Sequence, residues 1–196
     1  NVHSATVITA NTAQNNEKVI SINCVADTVF RDQLDAVDTL PTKAVKVGLI
    51  GSITQAKKIT NFVREKKIPL VFDPVVASSS GARFIDDNFL LFLKEQLLPH
   101  TTLLTPNIME AELLTNIKIK TTEDILTAAT ALLMLGVTAV LIKGGHFAGN
   151  QVDTKQEDVV PDYFSDGKMS FWLSSKKISS QTSRDTGCAF ASAIDS

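Results

Sequence analysis

Short apolar segments separated by stretches of helical periodicity recur along this chain, and that alternation restricts its fold more than any other feature. "ATVITA" (Ala5 to Ala10), "KAVKVGLI" (Lys43 to Ile50), "LVFDPVV" (Leu70 to Val76), "LLTP" (Leu103 to Pro106) and "AVLIKGG" (Ala139 to Gly145) read as strands. Between them lie helical patterns: Asp27 to Thr39, with Phe30, Leu34 and Val37 on one face; Ser52 to Lys67, opened by a serine cap; Asp86 to Leu98; Met109 to Asn116; and Thr122 to Leu135. Alternation at these lengths predicts right-handed crossovers and a mainly parallel sheet covered on both faces, an α/β/α arrangement. Beyond "KGGH" a polar loop, "FAGNQVDTKQEDVV", leads into "DYFSDGKMSFWLSSKKISS", which predicts a hairpin turning at Asp166-Gly167.

Composition bears on what such a fold can do. With 196 residues, 44% of them apolar, the chain is long enough for one well-buried domain and short for two. Nineteen basic residues oppose 21 acidic ones without a long block of either sign, so no electrostatic footprint for nucleic acid is present. Cys24 and Cys188 lie far apart without metal-ligand or redox spacing, the pattern of reduced thiols in a cytoplasmic protein. No signal peptide is visible. The apolar run Ile125 to Ile142 is long enough for a membrane span, but Gly136 divides it into an Ala- and Leu-rich helical half and a β-branched half. That division predicts a helix feeding a buried parallel strand and no membrane contact.

In a sheet of this kind ligands bind beyond the carboxyl ends of the strands. The segments expected there are "TAQN" (Thr12 to Asn15), "GLIGS" (Gly48 to Ser52), "DPVVASSSG" (Asp73 to Gly81), "TPNIMEAE" (Thr105 to Glu112) and "KGGH" (Lys143 to His146), with "DTGC" (Asp185 to Cys188) opening a helix. In order and in register along nearly the whole chain, this series resembles the ribokinase-like superfamily and, within it, the hydroxymethylpyrimidine/phosphomethylpyrimidine kinases of thiamine biosynthesis. The resemblance implies a three-layer ribokinase-like fold over residues 1–196 as a single domain, the central part of a kinase. The family's N-terminal strand and loop and its C-terminal helices would then lie outside this chain.

It also implies ATP and Mg²⁺ as cofactors, a small-molecule pyrimidine as substrate, and allows a homodimer. Backbone N–H groups at the opening of the "DTGC" helix suit a phosphoryl group, and the family pattern puts Asp185, Thr186 and Gly187 in that anion site. Cys188 would take the position of the base that removes a proton from the substrate hydroxymethyl group as it attacks the γ-phosphate. Lys143 would meet nucleotide phosphate, with Asn107 nearby. Glu110 would organise Mg²⁺ through water, and Asp73 is a further candidate for metal. Asn107 and Glu110 are three apart, hence on one face of a helix opening. For the substrate, Gln14 offers an amide to an aminopyrimidine edge, Gly48 allows close approach of the ring, and Val76 lines the pocket.

The chain departs from the family at several of these places. Asp185 stands for the first glycine of "HGTGC", Ser79 for a lysine, and Leu49 and Val76 for pocket methionines. A carboxylate in the anion site opposes phosphate binding. Three readings follow: a pyrimidine kinase, a related kinase acting on pyridoxal, and a noncatalytic pyrimidine- or nucleotide-binding domain. Gln14 and Cys188 favour the first over the second, and Asp185 favours the third.

Overall fold

The computed structural model describes residues 3–15, 19–76, 84–144 and 159–176. A two-stranded antiparallel ribbon comes first, β1 (Ala10–Gln14) against β2 (Val19–Cys24), and α1 (Asp27–Asp38) follows it. The main sheet then builds by alternation: β3 (Val45–Val47), α2 (Ile53–Lys66), β4 (Leu70–Phe72), α3 (Asp87–Phe92), β5 (Leu103–Leu104), α4 (Ile108–Thr115), α5 (Thr122–Met134) and β6 (Ala139–Ile142). The hairpin β7 (Val159–Ser165) and β8 (Ser170–Lys176) completes it.

Spatial order in the main sheet is the sequence order, β3 to β8. Strands β3 to β6 are mutually parallel, β7 is antiparallel to β6, and β8 is antiparallel to β7. Five of the six strands therefore share one direction, and β8 leaves the sheet at the same edge as β3 to β6. Each β–α–β step advances one strand the same way, so right-handed connections carry α2, α3 and the α4–α5 pair over one face. Leu70, Phe72, Leu104, Val140 and Ile142 join the core cluster, whereas Val71 and Leu141, which alternate onto the opposite face, are buried as well. Both faces are thus withdrawn from water, as the near-continuous apolar strands require.

Local chemistry explains most boundaries. Ser52 Oγ accepts the Gln55 N–H at 3.1 Å to cap α2, and Asp86 accepts the Phe89 N–H at 2.8 Å to cap α3. Reciprocal capping boxes open α4 (Asn107 and Glu110) and α5 (Thr121 and Asp124). Gly136, at φ +94°, ends α5 and turns the chain into β6, so the apolar run divides where its composition changes. Among the described residues no helix is long and apolar enough to cross a membrane. The hairpin turns at Asp166-Gly167 as expected, with Gly167 at φ +80° and Asp166 Oδ1 accepting the N–H groups of Lys168 and Met169.

Four expectations are corrected. Residues 5 to 9 form no strand; β1 starts at Ala10 and pairs with β2, a strand the sequence pattern did not suggest. Gln14 consequently ends a ribbon strand and does not follow a strand of the main sheet. The parallel strands are shorter than their apolar runs because the carboxyl-end residues, Gly48, Asp73-Pro74, Thr105-Pro106 and Lys143, already belong to loops. The expected helix Asp86 to Leu98 is α-helical only through Phe92, then widens into a π turn, Leu93–Leu97, and closes in a 3₁₀ turn, Leu98–His100, where Pro99 lacks the N–H that would continue the α-helix.

Candidate active site

The loops at the carboxyl edge of the sheet are held by a continuation of its hydrogen-bond ladder. Asp73 N–H donates to Val47 O at 2.8 Å, Thr105 N–H to Phe72 O at 3.0 Å, and Lys143 N–H to Pro106 O at 2.8 Å. Side chains leaving these positions therefore start from a backbone as fixed as the strands themselves.

Lys143 Nζ donates to Asp73 Oδ1 at 2.7 Å, across the intervening β5, and Thr105 Oγ1 donates to the same oxygen at 3.4 Å. The two charged side chains are 15% and 3% exposed, so this is a nearly buried pair. A buried cation needs a partner to stay charged, and Asp73 supplies it. The pair uses one of the three ammonium donors, and the other two suit phosphate oxygens.

Glu110 stands one helical turn into the same edge. Its Oε2 accepts the Asn107 N–H at 2.8 Å while Asn107 Oδ1 accepts the Glu110 N–H at 2.9 Å. Burial raises the Glu110 carboxyl to about pH 7; the Asn107 N–H and the Lys143 charge hold it down, and Asp73 pushes it up. A carboxyl titrating there loses its proton readily to a divalent cation. Among the described residues no group of three or more His, Cys, Asp or Glu side chains forms a metal cage. One or two carboxylates completed by water and phosphate is the ligation Mg²⁺ favours, so Glu110 fits such an ion. Asp73, already neutralised by Lys143, fits it less well.

Two further groups at this edge escaped sequence reasoning. Thr105 lay within a motif but carried no marked role. Asp162, in the middle of β7, accepts the Gly144 N–H at 2.8 Å; burial raises its carboxyl, opposed by that N–H and by Lys143. Only the antiparallel pairing of β7 with β6 brings it there. Gly144 is fixed by the same approach, since a β-carbon at that position would overlap the Pro161 carbonyl.

Gly48 and Val76 line one small cleft with Ile50, Phe72, Val75 and Phe89, so the structure brings these two candidates together. Gln14 is on the exposed ribbon. Cys24 is exposed and donates through Sγ to Gly51 O at 3.1 Å. Asp185, Thr186, Gly187 and Cys188 lie outside the described residues, as do Ser79 and His146.

The whole chain, residues 1–196, matches the family model for phosphomethylpyrimidine kinase. It is 34% identical over 195 residues to the hydroxymethylpyrimidine/phosphomethylpyrimidine kinase of Aquifex aeolicus, an overlap covering 98% of this chain and 73% of that protein. Among solved structures, the phosphomethylpyrimidine kinase of Clostridium difficile 630 superposes with a TM-score of 0.78 at 30% identity, over 98% of this chain and 76% of that one. Bacillus subtilis pyridoxal kinase in its ADP complex gives a TM-score of 0.85 at 25% identity, over 100% of this chain and 72% of that one. The fold is that of the ribokinase-like small-molecule kinases. Within that class the chain belongs to the phosphomethylpyrimidine kinase family, phosphotransferases of thiamine biosynthesis.

Proposed function

We propose that this chain transfers the γ-phosphoryl group of ATP to the hydroxymethyl group of hydroxymethylpyrimidine, and then to the resulting monophosphate, in the cytoplasm. The observation that carries this reading is the Lys143–Asp73 pair beside Glu110 at the carboxyl edge of β4 to β6. That edge offers a shielded cation with further donors suited to phosphate and a carboxyl ready to organise Mg²⁺. The ion would neutralise phosphate charge when bound. Lys143 binds and orients the nucleotide phosphates, with Asn107 holding the Glu110 carboxyl in place through its backbone N–H. Gly48 and Val76 receive the ring, and Gln14 reads its edge. Cys188 removes the hydroxyl proton, with the backbone at Thr186 and Gly187 serving the transferred group.

Pyridoxal is the second reading, favoured by the likeness to the Bacillus subtilis pyridoxal kinase. Single-turnover transfer from Mg²⁺-ATP to hydroxymethylpyrimidine, its monophosphate and pyridoxal separates them. Transfer to both pyrimidines is expected, and Cys188→Ala should slow it by about 100-fold or more, the usual span for a general base. Faster transfer to pyridoxal would replace the substrate. No transfer by the wild type, with none created by Asp185→Gly, would leave a binding domain. A rate increase in Asp185→Gly would identify Asp185 as a handicap that the chain tolerates in its anion site.

A further inference from the structure

Gln55 is fully buried at the third position of α2, and every polar group of its side chain is engaged. Its Oε1 accepts the Gly51 N–H at 2.9 Å, while Nε2 donates to Thr9 O at 3.0 Å and to Val25 O at 3.3 Å. Thr9 immediately precedes β1 and Val25 immediately follows β2. One amide thus ties both ends of the ribbon to the loop that begins at Gly48. Two further ties run beside it, Thr9 Oγ1 to Leu49 O at 2.7 Å and Cys24 Sγ to Gly51 O at 3.1 Å. Gly51 permits the approach, since a β-carbon there would lie 2.8 Å from Cys24 Sγ and 3.2 Å from Gln55 Oε1. Beyond this base the residues of β1 are almost all exposed, and Val19, Ser21 and Ile22 of β2 are only half-buried, so the base carries the clearest contacts that direct the ribbon.

We infer that Gln55 is a positioning residue for substrate: by clamping the base of the ribbon to the Gly48 loop it sets where Gln14 stands relative to the ring-binding cleft. This rests on the proposed reading of Gln14 and Gly48 as the pyrimidine end of the site. A buried amide serving only the core would have no reason to act on one ligand more than the other. A clamp acting through Gln14 changes pyrimidine affinity, leaves nucleotide affinity alone, and ceases to matter once Gln14 is gone.

Two measurements on wild type, Gln55→Leu and Gln55→Glu test it; the second variant keeps the acceptor for Gly51 and loses the two donations. In amide hydrogen exchange, ribbon amides 10–14 and 19–24 should exchange about tenfold faster in the variants, with β4 to β6 unchanged. Uniform acceleration across the sheet would overturn the clamp. In calorimetry with hydroxymethylpyrimidine and, separately, ADP, either variant should lose about tenfold in pyrimidine affinity and less than about twofold in ADP affinity, and add less than about twofold in a Gln14→Leu background. Equal losses for the two ligands, or additive losses with Gln14→Leu, would overturn the positioning role. A wild type that binds no pyrimidine would refute the proposed function instead, and the exchange experiment then decides the clamp by itself.

Discussion

The two ends of the proposed site are built by different means. At the phosphate end, Asp73, Thr105 and Lys143 issue from neighbouring parallel strands whose ladder fixes the backbone, and Glu110 is locked into a capping box. At the ring end, Gln14 stands on an exposed two-stranded ribbon pinned mainly at its base. The first arrangement suits groups that must meet charge at fixed separations in a nearly dry place, where a small displacement costs much. The second leaves the element proposed to read the substrate apart from the core, so its replacement should alter recognition with little effect on folding. Perturbations at the phosphate end should therefore move stability and activity together, and perturbations of the ribbon should separate them.

The largest effect is expected at Lys143. Lys143→Met leaves the Asp73 carboxylate buried without its ion partner, which should cost about 3–5 kcal/mol in urea unfolding. Adding Asp73→Asn removes the stranded charge, so the double variant should recover most of that stability. Phosphoryl transfer should not return, because the donors for phosphate are still missing. Recovery of both together would mean that the pair is structural only and that nucleotide contacts lie elsewhere.

Glu110 should show the opposite signs. Its folded value, about 7, lies above the ordinary 4.5, so the folded protein holds the proton more tightly. The stability this gives is complete below pH 4.5 and is lost as pH rises through 7, a change on the order of 3 kcal/mol. Glu110→Gln cannot ionise and keeps an acceptor for the Asn107 N–H. The variant should match wild type at pH 5 and exceed it by about 2–3 kcal/mol at pH 8, while Mg²⁺-dependent nucleotide use falls. Added Mg²⁺ should raise the melting temperature of the wild type at pH 8 and not that of the variant. Full activity in the variant would remove Glu110 from the metal site.

How much of this was legible in sequence follows from what held each part in place. The carboxyl-end residues stood out because Asp73, Asn107 and Lys143 interrupt or end apolar strands beside Pro or Gly, and such punctuation is local. The Asn107–Glu110 spacing signalled a shared helix face, which is the capping box observed. Cross-strand partnerships left no local mark: Thr105 on Asp73 and Asp162 on Gly144 depend on which strands pair. The ribbon was displaced in the reading because burial periodicity, the signal used for strands, is weak where β1 is exposed nearly throughout. The apolar residues before it misled for a related reason, since Val7 packs against the core from a loop. Gln55 was invisible for the converse reason: a polar residue in a helix's first turn usually faces water, and only the folded ribbon gives its amide two of its three backbone partners.

The smallest effect on folding, and the sharpest test of the contrast between the two ends, belongs to Gln14→Leu. The side chain is exposed at the end of β1, where a substitution should change unfolding free energy by less than about 0.5 kcal/mol. If the amide reads the pyrimidine edge, its loss removes hydrogen bonds from the bound ring and leaves the partner groups of the ligand unsatisfied, worth about 1–3 kcal/mol, or roughly five- to a hundredfold in affinity. ADP affinity, proposed to be set at the Lys143 end, should stay within about twofold. Titrating both ligands against wild type and variant, with a urea melt of each, reads all three quantities on one preparation. Equal loss for pyrimidine and ADP with an unchanged melt would mean that the ribbon serves the nucleotide too, and the division between a fixed phosphate end and a separate ring end would fail.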